Sequence, residues 1–75
     1  MRERRKAGRT FRLKSQEGDI ETYDVLDSDT GAVIGFFVLN LTSGEVTDST
    51  VGAFKPEDPT NRRMIARQIL RYLKP

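Results

Sequence analysis

Residues 32–41 read AVIGFFVLNL, and the fold of this chain turns on them. They form the only long apolar run in the sequence, with turn-forming residues on both sides. An edge strand, or one buried on a single face, would alternate apolar and polar residues. This run does not, so it predicts a central strand buried on both faces. Period-two alternation puts Ala32, Ile34, Phe36 and Val38 on one face and Val33, Phe37 and Leu39 on the other.

Shorter apolar patterns flank this strand. Residues 9–14 carry Phe11 and Leu13 on one side and Arg12 and Lys14 on the other, which predicts an edge strand blunted by charge. Residues 20–27 predict a second strand, with Tyr23 and Val25 opposed to Thr22 and Asp24. Residues 45–54 predict a fourth, interrupted by Asp48, Ser49 and Gly52. Gly35 and Gly52 are candidate bulge positions. The intervening stretches 15–19, 27–31 and 42–45 are short and rich in Ser, Asp, Thr and Gly, as hairpin turns require.

After Pro56 the period changes. Asp58 is suited to cap a helix and Pro59 to occupy its first turn, where a missing N–H costs nothing. Ile65, Ala66, Ile69, Leu70 and Leu73 recur at spacings of three and four, which predicts an amphipathic helix over 59–73. The expected fold is therefore α+β: a four-stranded antiparallel β-meander with one C-terminal helix packed on one face, in the order ββββα. Residues 1–8 are expected to be a disordered basic arm and residues 9–75 a single domain. The helical stripe is wide enough to cover one sheet face only. The other needs a second copy, a protein partner or a curled sheet, and Phe36, Phe37 and Val38 are the candidate interface residues.

The chain has 75 residues, no cysteine and no histidine. That removes disulfides, thiolate zinc sites and the commonest general base. The loop 27–31, DSDTG, starts like a calcium loop, but its glycine is one position early and Val38 stands where the bidentate glutamate belongs. No phosphate-binding glycine loop and no nucleophile elbow are present. The expectation is a protein that is not an enzyme, with no cofactor, no metal and no small-molecule substrate. Nothing approaches the length of a membrane span, no apolar stretch follows the basic start, and the lack of cysteine suits a cytoplasmic location.

Charge is the most informative global feature. Residues 1–14 hold seven basic and one acidic group, residues 15–58 one basic and ten acidic, and residues 59–75 five basic and none acidic. The net charge of +2 thus hides blocks of +6, −9 and +5. Arg63, Arg67, Arg71 and Lys74 share one helix face with no acidic residue four positions away. With Arg2, Arg4, Arg5 and Lys6 they form the footprint expected of a protein that contacts DNA or RNA phosphates. The competing expectation is a protein-interaction module or homodimer built on the uncovered sheet face.

Overall fold

In the computed structural model, which describes residues 3–6, 8–50 and 53–73, five strands precede one helix. They are β1 (Glu3–Lys6), β2 (Arg9–Glu17), β3 (Ile20–Asp27), β4 (Val33–Asn40), β5 (Glu45–Ser49) and α1 (Pro59–Leu73). The strands form one antiparallel sheet in sequential order. The four expected strands and the helix are all present, in the expected order. The helix bounds match the sequence pattern because its start is a local signal. Asp58 Oδ1 accepts hydrogen bonds from the N–H groups of Thr60 (3.0 Å) and Asn61 (3.3 Å), and Pro59 follows.

The first correction is β1. A run of like charges predicts no order at residues 1–8, yet Glu3–Lys6 pairs with β2, Arg4 opposite Phe11 and Lys6 opposite Arg9. The free backbone edge of β2 supplies the partner, and backbone pairing does not depend on an apolar side-chain pattern.

Each of the three ladders joining β2, β3, β4 and β5 contains a bulge. Lys14, Ile34 and Thr47 are the extra residues, each skipped where the register shifts. Bulges bend and twist a sheet. Here α1 touches both edge strands, β5 and β1, so the sheet curls around the helix. The curl does not close, since β1 and β5 do not pair. One bulge falls beside Gly35, as the sequence suggests, whereas Gly52 lies outside the described residues.

The core lies between the curled face and the helix. Phe11, Tyr23, Val25, Phe37, Leu39 and Val46 meet Ile65, Ala66 and Ile69 there. The Phe37 ring stacks on Tyr23 at 4.9 Å and meets Phe11 edge-on at 5.2 Å. Glu21 lies on the same face, buried, accepting the Tyr23 hydroxyl at 2.9 Å. Alternation in a polar-looking segment does not mark it as a core residue.

Burial of β4 on both faces is the second correction. Phe37 and Leu39 are fully buried, but Phe36 and Val38 are only half-buried and Val33 and Ile34 are exposed. The bulge at Ile34 also moves Val33 to the face opposite the one predicted. Val33 pairs with Leu26 and lines a depression with Phe36 and Val38.

The link from β5 to α1 is held by a residue with no sequence signature. Asn61, buried in the first helical turn, accepts the Lys55 N–H (2.6 Å) and donates to the Ala53 carbonyl (2.9 Å). Asn61→Ala would take away the partner of the part-buried Lys55 N–H and Ala53 carbonyl, which at a net value of about 0.5–1.5 kcal/mol per hydrogen bond costs about 1–3 kcal/mol at most. We expect a lower urea midpoint with an unchanged slope. A midpoint equal to that of the parent protein would show that the latch is not needed.

Candidate functional site

The charged candidates gather on the outer side of the helix. With Ile65, Ala66 and Ile69 turned to the core, the 3.6-residue period leaves Arg63, Arg67 and Arg71 exposed on the far side. Successive members of this row are four residues apart, about 6 Å along the axis. Like charges at that spacing cost a few tenths of a kcal/mol per pair.

Only the first turn is neutralised. Glu45, half-buried on β5, accepts Arg62 Nε at 3.1 Å with one oxygen and lies 3.6 Å from Arg63 Nη1 with the other. Arg62 also donates to the Pro56 carbonyl. Among the described residues Arg67 and Arg71 make no ion pair. Among the described residues, then, Asp58 of the −9 block caps the helix and Glu45 pairs with its first-turn arginines, and the outer half of the basic row stays uncompensated. Asp27, another member of that block, is occupied in its own turn: its Oδ1 accepts the N–H groups of Asp29 (2.8 Å) and Thr30 (3.2 Å).

Arg4, Arg5 and Lys6 take strand positions on β1, opposite Phe11, Thr10 and Arg9. Because α1 contacts β1, the helix that bears the arginine row and the strand that bears Arg4, Arg5 and Lys6 are neighbours. Arg2 and Lys74 lie outside the described residues. Arg62 is the residue that pattern reading misses. Its signal is its place in register with Ile65, Ala66 and Ile69, since a cation on a buried stripe needs a carboxylate.

The opposite side of the sheet is a different surface. Lys14, Thr22, Asp24, Val33, Phe36 and Val38 line a shallow depression of about 450 Å³. Its floor is held firmly: the Phe36 N–H donates to Thr50 Oγ1 (2.9 Å) and its carbonyl accepts the Thr50 N–H (3.0 Å). Of the three interface candidates, Phe36 and Val38 lie here. Phe37 does not: it points into the core beneath the helix, because adjacent strand residues face opposite ways.

Among the described residues no group of three carboxylates comes together in a way that would hold a metal ion. No described helix is long and apolar enough to cross a membrane. No family model, curated protein or solved structure matches the chain.

Proposed function

We propose that this chain is a small, non-enzymatic binding module that holds DNA or RNA by its phosphates, without reading sequence. The observation that supports this reading is the contact of α1 with β1. It sets the helix that carries Arg67 and Arg71, which make no ion pair among the described residues, beside the strand that carries Arg4, Arg5 and Lys6. Arginine forks suit phosphate oxygens, and arginines outnumber lysines nine to four. The open sheet face carries Asp24 and lacks a run of arginines, so the helix side is where phosphate would dock. A protein-docking role is the second reading, favoured by the half-exposed Phe36 and Val38.

The test is fluorescence anisotropy with a labelled duplex and a labelled single strand. With about five phosphate contacts, affinity should fall by two to three orders of magnitude between roughly 50 and 200 mM salt. Glu45→Gln removes the carboxylate that holds Arg62 and Arg63. It should tighten binding several-fold and steepen the salt dependence. Failure of both probes to bind at low salt would overturn the proposal.

A further inference from the structure

The open sheet face is apolar along β4, carries Thr22 and Asp24 on β3, and is oppositely charged at its two sides. Thr22, Val38 and Asp48 stand directly opposite one another on β3, β4 and β5. The Lys14 bulge falls at the same level of β2, between Leu13 opposite Tyr23 and Ser15 opposite Thr22. Lys14 turns to this face, lining the depression with Thr22 and Val38. Asp48 is exposed and, as the cross-strand partner of Val38, shares that face. A cation and an anion therefore end one row of the sheet, three strand spacings or about 14 Å apart.

We propose that this face is covered by the same face of a second copy, related by a two-fold axis parallel to the strands and lying between β3 and β4. Such an axis reverses strand order and preserves level along the strands. It sets β2 over the partner's β5 and β3 over the partner's β4. Lys14 then faces the partner's Asp48, and the symmetry makes that pair twice, as a self-complementary interface requires. In the middle, Val33, Phe36 and Val38 of each copy lie over the partner's Leu26, Asp24 and Thr22, the residues at the same level on β3. The two sheets approach to about 10 Å at β3 and β4, with strands aligned to within about 30°, and splay toward their edges because each curls toward its own helix, a gap that the long Lys14 side chain spans. Asp24 keeps Arg12 beside it on β2, its register partner. The other face-to-face two-fold, running across the strands, would lay each strand on its own copy. That arrangement sets the β2 cations on β2 cations and Asp48 on Asp48, so charge selects the first axis. In the selected dimer the helices are outermost, and their arginine rows face away from each other.

Sedimentation equilibrium on the full chain tests this. The parent protein should self-associate. Lys14→Glu and Asp48→Lys should each weaken the dimer by about tenfold or more, since each creates two like-charge contacts in place of two pairs. Combining them restores opposite charges, and the double variant should return to within about threefold of the parent. Phe36→Ser should dissociate the dimer while far-UV circular dichroism stays unchanged. A parent protein that remains monomeric at the highest attainable concentration overturns the proposal. So does a double variant no tighter than the single ones, or a dimer that persists in Phe36→Ser. None of these measurements involves nucleic acid, so this proposal and the phosphate-binding one stand or fall separately.

Discussion

Phe37→Ala should leave the protein largely unfolded at room temperature, whereas Phe36→Ala should leave it folded. The two residues are neighbours in one strand and chemically identical. Their environments differ: Phe37 is 0% exposed, stacked on Tyr23 at 4.9 Å and edge-on to Phe11 at 5.2 Å. Truncating a buried phenylalanine costs about 3–5 kcal/mol, from lost burial plus the cavity left behind. A single core in a domain of this size supplies only about 3–5 kcal/mol of net stability, so the loss consumes most or all of it. Phe36 is half-buried, and its truncation forgoes roughly 1 kcal/mol. Urea titrations followed by far-UV circular dichroism, in dilute solution, separate the two. A Phe37→Ala protein with the parent midpoint would mean that the helix does not seal this face.

The second large effect is expected at the helix surface. Arg67→Glu with Arg71→Glu should lower nucleic-acid affinity about 100-fold at low salt. Two phosphate contacts are lost and two repulsions take their place. The slope of log affinity against log salt should shrink by about two, the share of two contacts at roughly 0.9 each. Stability gives the control. Both positions are exposed, and the change at 67 turns a like-charge pair with Arg63 into an opposite-charge pair, worth a few tenths of a kcal/mol to the helix. At position 71, in the last helical turn, the change loses a favourable cation–macrodipole contact and keeps a like-charge pair with position 67, so the variant should stay folded and melt close to the parent. Undiminished binding in a folded double variant would remove the helix from the interface.

The candidate surfaces were legible in the sequence to different degrees. The basic row on α1 follows from the helical period alone, because the apolar stripe names the buried side and leaves Arg63, Arg67 and Arg71 on the other. That Arg63 is partly neutralised and Arg67 is not depends on Glu45, eighteen residues away from Arg63 and on a different element. No pattern within the helix carries that distinction. The meeting of β1 with the helix was also out of reach, since charge repulsion argues for disorder and the free edge of β2 exists only once the sheet is built.

What the sequence by itself determined is local in origin. The α1 bounds follow from Asp58, Pro59 and a run of 3.6-period residues, and the hairpin order follows from turns too short to allow anything but antiparallel neighbours. The division of β3 into Tyr23 and Val25 against Thr22 and Asp24 follows from strict alternation. Only the tertiary structure decided which face of 33–40 is core. An unbroken apolar strand looks the same from both sides, and it is the helix that breaks the tie. Helix packing chose Phe37 over Phe36, and the bulge at Ile34 changed the phase so that Val33 joined Phe36 on the open face. Bulges answer to the curvature needed to wrap five strands around one helix, a demand set by the whole assembly and by no single residue.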